Sequence, residues 1–210
     1  MLEYSEPAKY LNYRWQMWKK YSHHLKMEKY LLIEKSILSR PRLLLINKDA
    51  FVQVVHENLD LFRDVFGPNF TAAHLLDRIV NENTDLLKIL HDHQGLLGIL
   101  LGFGRHNSML FYEKDRIQNQ LKKHKLNLNE ARELQKKLET IRSHLSYFHP
   151  HDAYRISSIN RVQFLANPYH HETILLRKKY DELNKKNLEI SAKEDWFEET
   201  VKQLLKKDTI

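Results

Sequence analysis

The sequence contains no cysteine among its 210 residues, and this absence limits its chemistry. Disulfides, thiolate metal sites and a cysteine nucleophile are excluded. Only five prolines and five glycines are present, which argues against a β-sandwich or barrel built on many tight turns. The longest apolar run, residues 95–104, is about half as long as a helix that spans a bilayer.

Leucine and charged residues recur at helical spacing, so the sequence predicts an all-α protein. We expect a single helical domain over residues 1–210, a bundle of about seven to nine helices. Residues 1–38 are expected as an N-terminal helical appendage, with a long helix over 7–38 that ends before Pro41. The other predicted helices cover residues 48–66, 72–80, 85–93, 107–123, 130–147, 171–187 and 192–206. The two within 107–147 are expected to form a long helical hairpin.

Four of the five glycines lie within ten residues, at Gly95, Gly98, Gly102 and Gly104. Glycine costs about 1 kcal/mol relative to alanine inside a helix, so the cluster needs a structural or functional reason. The spacing favours a buried helix that a neighbouring helix approaches closely. It also predicts a helix end at residues 102–104 and a following helix capped near residue 107 or 108.

The same segment supports a second interpretation, a cradle for a small anion. Free backbone amides at a helix N-terminus, an arginine and a histidine are groups that bind phosphate or carboxylate. The glycine spacing matches neither the dinucleotide-binding fingerprint nor the P-loop, so it predicts no particular nucleotide. The candidate anion-binding residues are Gly102, Gly104, Arg105, His106, Asn107 and Ser108.

Thirteen histidines are many for a chain of this length, and several lie beside acidic residues. Neutral imidazole and carboxylate groups are common metal ligands. The tetrapeptide Ile89-Leu90-His91-Asp92 resembles the His-Asp pair of the all-helical HD metal-dependent phosphohydrolases. That resemblance implies a divalent metal that activates water. It also implies an upstream ligand and a later aspartate, for which the candidates are His56 or His74 and Asp115 or Asp152.

The first thirty residues combine aromatic and basic side chains on a predicted amphipathic helix. Tryptophan, tyrosine and arginine are frequent at protein interfaces, and the same mixture can lie on a membrane surface. Core packing is an alternative reason for the helical spacing of the large apolar residues. The candidate interaction surface comprises Tyr10, Arg14, Trp15, Trp18, Lys19, Lys20 and Tyr21.

Two further segments resemble stretches carried by uncharacterised helical proteins of intracellular bacteria. They are Leu97-Gly98-Ile99-Leu100-Leu101-Gly102-Phe103-Gly104-Arg105-His106-Asn107 and Phe164-Leu165-Ala166-Asn167-Pro168-Tyr169-His170-His171-Glu172-Thr173, the latter followed by Leu176 and Tyr180. The resemblance implies a bacterial helical protein and supplies no activity. It raises the expectation of a membrane-targeting leader before this chain in the native gene.

The net charge of +7 is concentrated in residues 105–210, which carry 21 basic and 15 acidic side chains. Most basic pairs there sit in helical patterns with acids nearby, and no motif favours a nucleic-acid partner. We therefore predict a non-enzymatic interaction protein that needs no cofactor and binds a protein or a membrane surface. The phosphohydrolase and the small-anion binder remain alternatives. The first residues lack the apolar segment of a signal peptide, so we expect a cytoplasmic chain as written, and an envelope-associated or secreted one if a leader is removed.

Overall fold

The computed structural model divides into two compact units, each described by itself: Met1–Asp92 with Ile190–Ile210, and His93–Glu189. Helices dominate both, as predicted, but two small antiparallel sheets are also present, which the all-α prediction missed. The residues that the structure describes are 2–4, 16, 19–20, 27–123, 126–148, 164–196 and 200–202.

A three-stranded antiparallel sheet opens the first unit, with β1 (Leu2–Tyr4), β2 (Tyr30–Ile37) and β3 (Arg40–Asn47) in the order β1-β3-β2. The prediction of one helix over residues 7–38 is therefore wrong for residues 30–37. The physical reason is a two-residue turn that lets β2 pair with β3 along its whole length. Both turn residues, Leu38 and Ser39, have left-handed φ angles, of 51° and 62°.

The carboxylate of Asp85 holds this turn in place. Its Oδ2 atom accepts hydrogen bonds from the backbone N–H of Ser39 at 2.8 Å and the hydroxyl of Ser36 at 3.0 Å. Burial raises the pKa of Asp85, but hydrogen bonds donated by Ser39, Leu87, Ser36 and Leu38 outweigh burial and hold that pKa below its usual range. The charged acceptor thus stabilises left-handed backbone angles that Leu38 and Ser39 adopt less readily than glycine does.

Four helices follow the sheet in the first unit: α1 (Lys48–Glu57), α2 (Leu59–Phe66), α3 (Ala72–Asn81) and α4 (Leu86–Ile89). The predicted helix over 48–66 is in fact two, because the side chain of Asn58 donates to the carbonyl of Val54 and the backbone there leaves the helical region. Asn47 and Thr71 cap α1 and α3 through their side-chain oxygens.

The helix predicted over 85–93 ends at Ile89 instead. Its cap is Asp85, and the two residues His91 and Asp92 have left-handed φ angles of 54° and 60°. Such angles cannot continue a right-handed helix, so the His-Asp pair lies in a turn. The core of this unit is formed by fully buried side chains, among them Leu44, Ile46, Val55, Phe62, Leu75, Ile79, Leu86 and Ile89.

The second unit begins with the glycine-rich helix α5 (Gln94–Leu100), in which every residue after Gln94 is buried. It packs against α6 (Arg105–Lys123). A Cβ atom on Gly98 would come within 2.6 Å of the Ser108 hydroxyl, so glycine is what allows this approach. The buried, closely packed helix predicted from the glycines is thus present over Gln94–Leu100.

The rest of the second unit consists of α7 (Leu128–His144), the short paired strands β4 (Ser146–Tyr147) and β5 (Leu165–Ala166), and α8 (His171–Ser191) up to Glu189. Helices α6 and α7 form the predicted hairpin, and Ile117, Leu138 and Ile141 are buried between them. A second apolar cluster joins Phe148 and Phe164, with Phe103, Leu176 and Tyr180 packed against it. No helix within the described ranges is both long and apolar enough to cross a bilayer.

Candidate anion-binding site

A glycine turn connects α5 to α6 and sets where α6 begins. Gly102 and Gly104 have φ angles of 82° and 85°, which L-residues with a side chain rarely adopt. The carbonyl of Gly104 accepts the first helical hydrogen bond, from Ser108 N–H at 3.1 Å. The prediction that Asn107 or Ser108 caps this helix is therefore wrong, because the glycine turn starts it at Arg105 and both residues lie inside it.

The backbone amides at the start of α6 bind the carboxylate of Glu172, in the first turn of α8. Its two oxygens accept from Arg105 N–H at 2.7 Å and from His106 N–H at 2.8 Å. A carboxylate is stabilised there by the unpaired amides and by the helix dipole. The cradle predicted for an external anion thus holds an anion of the chain itself.

Asn107 joins the start of α6 to residues 167–173. Its side chain is 1% exposed, and its Oδ1 atom accepts from Asn167 N–H and from the hydroxyl of Thr173, both at 3.1 Å. Its amide group donates to the carbonyl of Phe103 at 3.1 Å. This buried amide therefore fixes residues 167–173 against the first turn of α6.

Two histidine rings stack beside these contacts. The rings of His106 and His170 are parallel within 6°, with centroids 3.6 Å apart. His106 Nε2 and His170 Nδ1 are buried, and neither atom has a hydrogen-bond partner among the described residues. Burial lowers the pKa of His106, the neighbouring His170 and His144 lower it further, and the carboxylate of Glu172 opposes them.

An open pocket of about 680 Å³ lies along this face of α6. The stacked histidines form part of its wall, and Arg116 lies about three helical turns from Arg105 along the same wall. Both polar and apolar side chains line it, so a molecule with a charged and an apolar part could contact each kind. The full lining is Arg105, His106, Met109, Leu110, Tyr112, Glu113, Arg116, His170 and Glu172.

The two acids in the wall are already engaged. Glu113 forms an ion pair with Lys137 of α7 at 2.6 Å, and Glu172 is bound by backbone amides as described above. Arg116 is exposed, and the described residues offer it no ion-pair partner. The Arg116 guanidinium is therefore the charged group of the wall that a ligand can pair with, because Glu113 is paired with Lys137 and Glu172 is held by backbone amides.

The described candidates for a metal site lie on separate elements. His56 and His74 are exposed on α1 and α3. The His91 ring packs against Phe66, with ring centroids 4.7 Å apart. Asp115 accepts hydrogen bonds from Gln94 and Asn119. Asp92 forms an ion pair with Lys88 at 2.8 Å. Asp152 lies outside the described residues. Within the described ranges, no group of three or more histidine and acidic side chains could hold a metal ion, so the phosphohydrolase stays a prediction without a ligand cluster.

The proposed interaction surface lies mostly outside the described residues. Of its members only Lys19 and Lys20 are described; both are helical and exposed. Lys19 contacts Glu34 on β2 at 3.6 Å. An interaction role through Tyr10, Arg14, Trp15, Trp18 and Tyr21 therefore stays a prediction.

Several residues of the pocket were missed by sequence reasoning: Met109, Leu110, Tyr112, Glu113, Arg116, His170 and Glu172. Those on α6 follow one helix face from Arg105, so helical periodicity could have found them. No family model, curated protein or solved structure matches the chain.

Proposed function

We propose that the protein binds a small organic anion in the pocket along α6. The ligand class is a carboxylate, phosphate or sulfonate attached to an apolar or aromatic group. The observation that carries the proposal is the charge balance of the wall, in which both acids are engaged within the chain while Arg116 is left for a ligand. This is the small-anion interpretation of the sequence, moved from the glycine turn to the neighbouring pocket.

The rest of the pocket wall favours a ligand with an apolar or aromatic part. Met109 and Leu110 offer aliphatic surface and Tyr112 an aromatic ring. The Tyr112 ring also stacks on His93, with centroids 3.9 Å apart, so its position is fixed before a ligand arrives. A fixed aromatic wall lowers the entropic cost of binding a flat apolar group. A guanidinium on the same helix face then selects ligands that carry a negative charge.

The first test compares two probes that differ in charge and share one ring. Benzenesulfonate carries a permanent negative charge, whereas benzenesulfonamide is neutral at pH 7. We expect isothermal titration calorimetry to detect benzenesulfonate binding and to find the sulfonamide at least about tenfold weaker, a difference of about 1.4 kcal/mol. Equal affinity for the two probes, or no binding of benzenesulfonate, would overturn the proposal.

A matched pair of variants locates the site. Arg116→Gln removes the guanidinium from the pocket, and we expect it to weaken benzenesulfonate binding by about tenfold. Arg132→Gln makes the same chemical change on the exposed surface of α7, away from the pocket lining, and should leave the affinity unchanged. Equal losses in the two variants would indicate non-specific attraction to a basic protein.

A further inference from the structure

The stacked pair of His106 and His170 has a geometry that opposes two positive charges. The ring centroids are 3.6 Å apart and the planes are almost parallel, so protons on both imidazoles would repel each other strongly. The geometry therefore accommodates one positive charge on the pair more readily than two.

The pair also has unused hydrogen-bonding capacity. His106 Nε2 and His170 Nδ1 are both shielded from solvent and have no hydrogen-bond partner in the part of the chain that the structure describes. A protonated imidazole donates from both nitrogens and needs an acceptor for each. The oxygen atoms of an anion in the adjoining pocket are acceptors of that kind, and both histidines belong to the pocket wall.

The charges around His106 come from three elements. His144 at the end of α7 and His170 before α8 disfavour a proton on the ring, while Glu172 favours one. Arg105, Arg116 and Glu113 line the same pocket from α6 itself. The two carboxylate oxygens of Glu172 accept hydrogen bonds from the backbone amides of Arg105 and His106, and Glu113 is paired with Lys137. An anionic ligand in the pocket would add to the negative charge of Glu172 and so stabilise a proton on the pair further.

We propose that anion binding in the pocket is coupled to the uptake of one proton by the pair of His106 and His170. The inference rests on the proposed function, because it assigns a pH dependence to the same pocket. Thermodynamic linkage then requires that the affinity for an anion rises as the pH falls through the range in which free histidines titrate. The affinity increases by up to about tenfold for each pH unit when one proton is taken up.

The test uses benzenesulfonate as the probe, because its own charge does not change with pH. Calorimetric titrations of the wild-type chain between about pH 6 and pH 8, in two buffers with different ionisation enthalpies, count the protons bound with the ligand. We expect an uptake that approaches about one proton per ligand. The dissociation constant should decrease by up to about tenfold for each unit by which the pH is lowered.

Two histidine variants and one arginine variant distinguish a failure of the proton coupling from a failure of anion binding itself. His170→Gln and, independently, His106→Gln should retain binding at pH 8 and lose most of the pH dependence, whereas Arg116→Gln should weaken binding at every pH. Binding by the wild-type chain without proton uptake would overturn the inference and leave the proposed function intact. Proton uptake that persists in both histidine variants would also overturn it. Absence of binding at every pH would overturn the proposed function, and the inference with it.

Discussion

The carboxylate carbon of Glu172 lies 2.6 Å from the point where a Cβ atom on Gly104 would stand. The glycine therefore serves two purposes at once. It adopts the left-handed backbone angle that starts α6, and it leaves room for the carboxylate that binds the first amides of that helix. The anion cradle predicted from the sequence is therefore shaped to hold the Glu172 carboxylate against the first amides of α6.

Replacing Gly104 should cost more stability than replacing Gly102. Both have positive φ angles, but no atom of the described residues lies within 4 Å of a Cβ atom built on Gly102. We expect Gly102→Ala to lower the free energy of unfolding by about 1 kcal/mol, from backbone strain alone. Gly104→Ala should lower it by about 3 kcal/mol, because it also displaces the charged acceptor from two amides.

Urea denaturation followed by circular dichroism measures both free energies. A Glu172→Ala background provides the control, since Gly104→Ala should then cost no more than Gly102→Ala. If the difference between the two glycine variants survives in that background, the contact with Glu172 is not its cause.

Asn107→Asp should make the stability of the chain depend on pH in a new way. The buried side chain would keep its acceptor oxygen but would place a second oxygen against the carbonyl of Phe103 in place of the amide donor. We expect a loss of about 3 kcal/mol at pH 7, where the buried carboxylate is charged.

The sign of this pH dependence follows from burial, which raises the pKa of a buried carboxyl in the folded state. The protonated acid is then favoured by folding, and its O–H can donate to Phe103. Stability relative to the wild-type chain should therefore recover as the pH falls from about 7 towards 4, as measured by urea denaturation at a series of pH values. A constant difference across that range would contradict the proposed geometry.

His93 should make the second unit less stable in acid. Its Nδ1 atom accepts the Leu96 N–H at 3.1 Å, which caps α5, and burial lowers its pKa from the usual value of 6.5. The unfolded chain thus takes up a proton more readily than the folded one. The stabilisation from the neutral ring is complete above about pH 6.5 and decreases as the pH falls below that value.

His93→Asn supplies a cap that does not titrate, because asparagine is among the best N-cap residues. We expect the wild-type chain to lose more unfolding free energy than this variant between about pH 7 and pH 5. Equal losses would assign the acid sensitivity to other groups. NMR titration of the His93 ring would give the direction of its pKa shift directly.

The hairpin turn between β2 and β3 can be stabilised by two substitutions. Leu38 is 63% exposed, so its removal uncovers no core, and both turn residues have positive φ angles. Replacement by Leu38→Asn with Ser39→Gly introduces the pair preferred in turns of this kind. The backbone N–H at position 39 still reaches Asp85, so we expect the thermal midpoint to rise, with a gain of about 1–2 kcal/mol. A lower midpoint would mean that the turn is held by contacts of the Leu38 side chain.

The helices were predictable where amphipathic periodicity and caps agreed. Helix α3 has Thr71 as its cap and apolar residues at helical spacing, and the prediction is correct to within one residue at its end. The hairpin of α6 and α7 is also present, with Leu138 and Ile141 buried between the two helices. Asn127 caps α7 and forms a capping box with Glu130.

The strands were not predictable from local sequence. A turn made of Leu38 and Ser39 carries none of the glycine or asparagine that indicates a hairpin, and its main partner is Asp85, more than forty residues later. The contacts of the candidate site were not predictable from local sequence either. Arg105 and His106 were found from the glycine turn, but their partner Glu172 lies 67 and 66 residues away, and only the fold brings it near.

The hydrogen bonds of Asn107 also bear on how this architecture can evolve. They tie together residues 60 and 66 positions apart, and much of the intervening chain is the helical hairpin. The entropy lost on closing such a loop grows only with the logarithm of its length, so doubling the loop costs about 0.6 kcal/mol. Relatives could therefore lengthen the far end of the hairpin or exchange it for a different module while the amide junction at its base is inherited unchanged.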